Sequence, residues 1–487
     1  MPNALAYLML MIWPLVCIKL FQKLSLERAI IWSLLGGYLI LPPVAEFDLP
    51  LIPSMNKDSI SSVSACLACI FVAHKSLNFW PQLKSVRLLL IAFLVGTVPT
   101  ILTNRDPLVF EVLANSDPIT FVTFSVPGLG VRDILSVLIG QFIVLIPFFL
   151  ARQFLATAVG LREIIIALAI GGLVYSIPAW IETLISPLLN IFVYGFFQHD
   201  FNQMIRESGF RPIVFLPHGL WLALFMFTVL LSVATLARHE KGEAGRLWSL
   251  ATVYMFFVLL ACKSFASIAY GIILTPLILF ATQRTKVRIA SFMALIAIFY
   301  PMLRNAGLIP LEAILDFANS LSSERAQSLE FRFNNEELLL DRAHEKPLFG
   351  WGGWGRNLQL DPETGEILTI PDGNWIIVFG SFGWVGYIAQ MGLLSAPIAH
   401  LYLKMRTMKK SEISPYVATI TIILAATMMD MLLNATLTPF TWLCAGAVLG
   451  YVEKSKATKR KAEKPPLFGK GPVIGRSKTD ASSRNVM

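Results

Sequence analysis

The sequence predicts an all-α protein, a polytopic bundle of membrane-spanning helices with one large helical loop. Hydrophobic residues fill 55% of the 487 positions and charged residues only 15%, which is too little charge for the surface of a soluble globule. Apolar runs of about 18–25 residues recur along the chain, and a helix needs about that length to cross a bilayer. The short alternating segments that are typical of a membrane β-barrel do not recur in this way.

Thirteen apolar runs are predicted to span the membrane. Twelve or fourteen spans are alternative counts, because the segment 247–282 needs a very tight turn at Lys263 to hold two spans. The predicted spans are 4–21, 29–45, 59–74, 87–103, 132–150, 163–185, 213–237, 247–262, 266–282, 287–304, 372–400, 415–433 and 437–452.

Short basic loops alternate with acidic, mixed or proline-rich loops, and this alternation predicts the orientation. The basic loops include those with Arg28, Arg87, Arg162, Lys241, Lys286 and Lys409. Short basic loops remain in the cytoplasm, so the N-terminus is predicted outside and the C-terminus inside. The loops 186–212 and 305–371 then lie outside, where ATP and sugar nucleotides are not available. The predicted location is a cytoplasmic membrane.

Four regions follow from this pattern: an N-terminal bundle (1–304), a large extracytoplasmic loop (305–371), C-terminal helices (372–452) and a basic tail (453–487). The tail has ten Lys or Arg and three acidic residues, so it carries +7 of the net charge of +9. It is predicted to be disordered and to contact anionic lipid headgroups. Nucleic-acid binding is disfavoured, because no aromatic platform accompanies the charge.

Candidate phosphate ligands occur before the large loop. Arg206 and Arg211 lie in the loop 186–212, and His218 begins the next helix. Guanidinium groups suit phosphate geometrically, although anchoring at the membrane interface is an equal alternative. Lys263 lies at the junction of two spans, where it either reaches toward the membrane surface or faces a phosphate beside Ser264.

The large loop is predicted to hold two helices. Apolar residues of 311–321 follow the helical period, which indicates a helix on the membrane surface or on the bundle. A second helix runs from about Ser328 to Glu345, and Pro347 ends it. Arg332, Glu336 and Leu339 share one face of that helix. Two further candidate ligands of the loop are Arg325 and His344.

A glycine-rich turn at 350–355 follows, flanked by Trp351 and Trp354. Glycine allows close backbone approach. Tryptophan stacks on sugar rings and also favours the membrane interface, so both roles stay open for these two side chains.

Carboxylates near the next spans are candidates for acid–base chemistry. Asp372 precedes the eleventh span, where it either caps the helix or acts as a general base on a sugar hydroxyl. Asp430 and Asn434 lie four residues apart on the twelfth span. A carboxylate inside a membrane is a functional candidate, but Asp430 can also pair with another helix.

These residues, in this order, resemble the O-antigen ligase and O-antigen polymerase superfamily of bacterial envelope glycosyltransferases. The resemblance covers about residues 200–400 best. It is carried by the arginine loop at Arg206 and Arg211, Cys262-Lys-Ser264, Ser323-Glu-Arg325, Arg332, Pro347-Leu-Phe-Gly-Trp-Gly352, Asp372-Gly-Asn374 and Phe382-Gly-Trp-Val-Gly386. Asp372 stands where the ligases have a histidine, which favours a polymerase or a divergent relative, with His344 or His218 as the alternative base.

The resemblance implies a metal-independent, inverting GT-C-type enzyme without a cofactor in the bacterial inner membrane. Its substrate would be a glycan on undecaprenyl pyrophosphate, and its acceptor another glycan or a lipid. Arg211, Arg332 and Asp372 would be catalytic. The residues that would bind pyrophosphate or glycan are Arg206, His218, Lys263, Arg325, His344, Trp351 and Trp354. A flippase for lipid-linked glycans and a non-catalytic subunit of a polysaccharide assembly complex are the alternatives.

Overall fold

The computed structural model describes residues 1–49, 52–113, 120–206, 209–408 and 413–463. Within these ranges, the side chains of 49, 112–113, 120–123, 321, 325 and 455–463 are outside the described set. The helices are α1 (Ala4–Lys23), α2 (Leu26–Ile40), α3 (Lys57–Phe71), α4 (Lys84–Val95), α5 (Thr97–Leu102), α6 (Val131–Phe154), α7 (Ala158–Leu184), α8 (Leu189–Tyr194), α9 (Gly219–His239), α10 (Gly242–Ala261), α11 (Phe265–Phe280), α12 (Gln283–Asn305), α13 (Leu311–Leu321), α14 (Ser323–His344), α15 (Asn374–Met405), α16 (Pro415–Asp430) and α17 (Pro439–Glu463).

Helix α9 lies at the centre of the bundle. It is apolar on all sides, and 83% of its most apolar stretch is buried, as expected for a helix that is hydrophobic all round. It packs against α7, α10, α11 and α16, while α17 packs against α6, α15 and α16. The core therefore joins the predicted N-terminal and C-terminal groups of spans.

Eight stretches in the described chain are long and apolar enough to cross a membrane, and two shorter apolar helices accompany them. The chain is therefore an all-α helical membrane protein, as predicted. A helix coincides with each of the thirteen predicted spans. The span predicted at 87–103 consists of two helices, α4 and α5, which meet at Gly96.

Three antiparallel β-hairpins lie in segments that the sequence indicates only as loops. They are β1 (Phe47–Leu49) with β2 (Ile52–Met55), β3 (Leu108–Leu113) with β4 (Thr120–Val126), and β5 (Ile205–Arg206) with β6 (Gly209–Phe210). Strands β3 and β4 are rich in valine, phenylalanine and threonine, which strands favour. Such short segments give a weak pattern beside long apolar runs.

The large loop begins with two packed helices. Helix α13 has the predicted bounds, and α14 starts at Ser323, earlier than the predicted start near Ser328. Helix α13 packs against α14, and α14 also packs against α15. Ile314 and Phe317 of α13 remain exposed. Below, the end of the bundle that carries residues 305–371 is called the loop end.

The glycine-rich segment 347–352 packs into a break in α15. At Gly383 the backbone has φ 62° and ψ −163°, which interrupts the helix. The freed Trp384 N–H donates to the Pro347 carbonyl at 2.8 Å. A Cβ at Gly350 would lie 2.5 Å from the backbone of α15, so only glycine allows this contact. We call segment 347–352 with this break the clasp.

The C-terminal helix is longer than predicted. Helix α17 continues to Glu463, past the predicted end of the span at residue 452. Glu453 forms a buried ion pair with Arg152 at 3.0 Å. The start of the predicted disordered tail is therefore helical, and the remainder of that prediction, 464–487, lies outside the described residues.

Candidate functional site

Several segments that are distant in sequence meet at the loop end. They are the β5–β6 hairpin and the start of α9, the turn between α10 and α11, helix α14, the start of α15, and the end of α16. Together they bring Arg206, Arg211, Lys263, Arg332 and Asp372 into one region, which we call the Arg332 cluster. All five residues are among those that the sequence proposes.

Arg332 joins helix α14 to the two neighbouring spans. Its Nη1 donates to the Leu433 carbonyl at 2.7 Å and to Asn434 Oδ1 at 2.9 Å. Its Nε lies 3.5 Å from Asp372 Oδ2, as an ion pair. The guanidinium is thus held by fixed acceptors on two sides, which reduces the freedom it would lose on binding an anion.

Buried bonds around Glu336, one turn further along α14, fix this helix in place. Glu336 Oε1 accepts from Arg304 Nε at 2.9 Å and from the Tyr300 hydroxyl at 3.1 Å. Glu336 Oε2 accepts from Trp375 Nε1 at 3.3 Å. These contacts bind α14 to both α12 and α15, so they determine where Arg332 lies.

Asp372 faces the cluster and does not cap α15. The cap residue of α15 is Gly373, which has no side chain to bond to the first turn. Burial raises the pKa of the Asp372 carboxyl, and the charges of Arg332 and His199 lower it in part. Together with Arg332 and Glu336, Asp372 lines a small crevice.

Arg211 is the most buried cation of the cluster. It is 7% exposed, and its Nη2 donates to the Lys263 carbonyl at 3.0 Å. Burial and the nearby charges of Arg206 and Arg332 lower the pKa of Arg211 to about 10, so it stays cationic at neutral pH. In the described chain its buried Nε has no hydrogen-bond partner.

Lys263 occupies the tight turn between α10 and α11. Its φ of 50° lies in the left-handed region, which only a few non-glycine residues adopt. Its Nζ lies 3.2 Å from the position that a Cβ at Gly209 would take. The ammonium is therefore directed toward the β5–β6 hairpin and the other cations, in keeping with the phosphate-facing alternative.

Arg206 lies at the edge of the cluster. Its Nη1 forms an ion pair with Glu324 Oε1 at 3.0 Å, and this contact connects the β5–β6 hairpin to the start of α14. The candidate Arg325 belongs to the same turn of α14, but its side chain is outside the described residues.

Two histidines and a glutamine adjoin the cluster. The rings of His199 and His218 lie 4.3 Å apart, and Gln203 Oε1 contacts His199 Nε2 at 3.0 Å and His218 Nε2 at 3.4 Å. His218 Nδ1 accepts from the Leu220 N–H at the start of α9. Burial and the neighbouring cationic groups lower the pKa of His218 to about 3, so it is a neutral hydrogen-bond donor through Nε2.

His344 and the two tryptophans lie in other surroundings. His344 bonds through Nε2 to Asn305 Oδ1, and its ring packs near Phe379. Trp354 is exposed. Trp351 is buried, and the Arg342 guanidinium lies 3.5 Å from the centre of its ring. These contacts occupy the Trp351 ring with protein, which leaves it no face for a sugar.

Sequence reasoning assigned no role to two residues that organise the site. Gln203 contacts and orients His218, and Glu336 fixes the position of α14. Neither residue belongs to a motif that signals such a role. In the described part of the chain, no group of three or more His, Cys, Asp or Glu side chains is placed to hold a metal ion.

No protein-family model and no curated protein matches this chain. The chemistry of the site therefore has to be argued from its own residues. The Arg332 cluster holds four cations and one carboxylate, and Arg332 and Asp372 line a crevice. Such a set suits a substrate that combines a phosphate with a hydroxyl group.

Proposed function

We propose that the protein is an inverting glycosyltransferase that acts on a glycan linked to undecaprenyl pyrophosphate at the outer face of a bacterial cytoplasmic membrane. A polysaccharide polymerase is the favoured form, and an O-antigen ligase-like activity the next. The observation that carries the proposal is the convergence of Arg211, Lys263 and Arg332 from three separate segments, with Arg332 paired to Asp372.

We further propose a GT-C-like bundle of thirteen spans with the N-terminus outside and the C-terminus in the cytoplasm. Two observations support this topology. A helix coincides with each predicted span, and the basic loops alternate with the others along the chain. The Arg332 cluster then faces outward, where a lipid-linked sugar is already activated and needs no nucleotide.

In the proposed reaction, an acceptor sugar hydroxyl attacks the anomeric carbon of the donor glycan. The new C–O bond forms as the bond to the pyrophosphate oxygen breaks, and the electron pair leaves with the lipid diphosphate. Asp372, as the carboxylate, accepts the hydroxyl proton. Arg211, Lys263 and Arg332 stabilise the charge that develops on the diphosphate. Inversion follows because attack and departure take place on opposite sides of the anomeric carbon.

Deletion of the gene followed by analysis of the lipid-linked glycans tests the proposal. Accumulation of single repeat units indicates a polymerase, and accumulation of long lipid-linked chains indicates a ligase. Reintroduced wild-type protein should restore polymer, whereas Arg332→Ala should not. Arg132→Ala is the matched control, since Arg132 is an exposed arginine at the start of α6. An unchanged glycan pool in the deletion strain would refute the function.

A further inference from the structure

Asp430 is a buried carboxylate that the proposed reaction does not use. It ends α16 and is 4% exposed. Its Oδ2 accepts from the Thr436 hydroxyl at 2.7 Å, and its Oδ1 accepts from Asn434 Nδ2 at 3.1 Å. Both donors are neutral, although a carboxylate at such a position is costly to bury.

The carboxylate determines which way the Asn434 amide faces. An ionised carboxylate only accepts hydrogen bonds, so it must meet the amide nitrogen of Asn434. The amide oxygen is then directed to the opposite side, where it accepts from Arg332 Nη1 at 2.9 Å. With the amide reversed, its NH₂ group would face the guanidinium, and two donors would oppose each other.

Arg332 is thereby fixed in one orientation. Asn434 Oδ1 and the Leu433 carbonyl hold its Nη1, and Asp372 lies beside its Nε. These contacts hold the guanidinium on two sides, through Nη1 and Nε. The negative charge of Asp430 also compensates the positive charge of Arg332 from behind the amide.

We infer that Asp430 is a positioning residue: through Asn434 it orients Arg332 for the substrate diphosphate and for Asp372. The inference rests on the proposed function and adds a second layer to that site. Asp430 itself touches neither substrate nor the reacting atoms. Its removal should therefore lower kcat more than it raises KM, because the binding groups remain while their alignment is lost.

The test uses the purified full-length protein and the lipid-linked glycan extracted from the deletion strain. Asp430→Ala is expected to reduce kcat about 10–100-fold, as a small misplacement of a catalytic group does, with little change in KM. Asn434→Asp is expected to be similarly impaired, because it places a second carboxylate beside Asp430. Arg332→Ala is measured in parallel.

A double swap, Asp430→Asn with Asn434→Asp, provides the rescue. In this variant Thr436 donates to the amide oxygen at 430, the amide nitrogen at 430 donates to the carboxylate at 434, and that carboxylate accepts from Arg332. Each hydrogen bond of the chain is retained and one carboxylate is kept. The swap should recover most of the kcat that Asn434→Asp loses.

The outcomes separate the two claims. A folded Asp430→Ala variant with wild-type kcat would overturn the positioning role, yet the proposed function would stand as long as Arg332→Ala is inactive. Activity in Arg332→Ala would count against the proposed function itself. If Asp430→Ala does not fold, the swap decides: an active swap supports the inference, and an inactive or unfolded swap overturns it.

Discussion

Two groups of cations at the loop end use their donors in different ways. The first is the Arg332 cluster. The second, the Trp351 cluster, consists of Trp351, Arg342, Lys346 and Arg356. In sequence the two look alike, since arginines beside aromatic residues at one end of the bundle can bind a phosphorylated sugar in either place. Their surroundings distinguish them.

Cations of the Trp351 cluster donate mainly to backbone carbonyls. Arg356 is 1% exposed and donates to the Pro127 and Asp106 carbonyls. Lys346 Nζ donates to the Thr103 carbonyl and to Asn104 Oδ1. These bonds satisfy irregular segments next to the clasp, where backbone carbonyls lack partners in a helix or strand. The cluster therefore supports the fold.

The Arg332 cluster differs in what surrounds its central cation. Arg332 is paired with the Asp372 carboxylate, and both side chains line a crevice. Arg211 has a buried Nε without a partner in the described chain, but so does Arg356, so an unpartnered donor alone does not identify a binding cation. The comparison shows that a neighbouring carboxylate and crevice, and not the charge of a residue, separate candidate binding cations from structural ones.

The largest expected contrast is in rate. Arg332→Gln should slow glycan transfer about 10²–10³-fold, as loss of one preorganised donor does. Arg342→Gln should lower the free energy of unfolding by about 1–3 kcal/mol, because it removes the hydrogen bonds to the Arg356 carbonyl, while the rate per folded molecule is kept. Turnover and thermal unfolding of the purified variants measure both. Equal loss of rate in the two variants would place both clusters in one site.

The next contrast concerns the clasp. Gly350 has φ 70°, and an added Cβ would meet the backbone of α15. Gly350→Ala should therefore destabilise the protein by more than about 1–2 kcal/mol, the cost of left-handed backbone alone. Gly353→Ala is the matched control, since no heavy atom lies within 4 Å of its added Cβ. Similar melting temperatures for the two variants would show that the clasp does not require glycine.

A smaller effect is expected in the pH dependence of transfer. If the Asp372 carboxylate accepts the proton, activity is present above its raised pKa and is lost as pH falls through it. Arg332 opposes the rise in this pKa, so the residual activity of Arg332→Gln should fall off at a higher pH than that of the wild type. Asp372→Asn removes the carboxyl group whose protonation causes the loss of activity at low pH. An acidic limb that stays in place in Arg332→Gln would argue against Asp372 as the base.

The smallest effect is expected at Trp354. This side chain is 57% exposed, so Trp354→Ala should change the free energy of unfolding by no more than about 0.5 kcal/mol. If its ring stacks on a sugar, KM should rise about 2–10-fold with kcat unchanged. An unchanged KM would show that the exposed Trp354 ring does not bind the glycan.

Long patterns were predictable and local partners were not. Helix α13 follows from the apolar period of 311–321, and the helical face shared by Arg332, Glu336 and Leu339 follows from their spacing. All three line the crevice. Asp372 shows the limit: its position before a span fits a helix cap equally well, and only the structure shows that Gly373 is the cap residue and that Asp372 pairs with Arg332.

The clasp illustrates the same limit on a larger scale. The sequence shows that glycines at 350–355 permit close approach, but it does not show what approaches. In the fold the neighbour is α15, opened at Gly383, more than thirty residues later in the chain. A contact between segments so far apart has no local signature.

The sequence by itself determined the class of the protein, because apolar length and loop charge act within single segments and are additive along the chain. It also determined which cations lie near the loop end. Only the tertiary structure decided that Arg356 donates to backbone carbonyls, whereas Arg332 lies beside the Asp372 carboxylate at a crevice. That choice depends on distances of a few ångströms between segments far apart in sequence, and hydrogen bonds exist only at such distances.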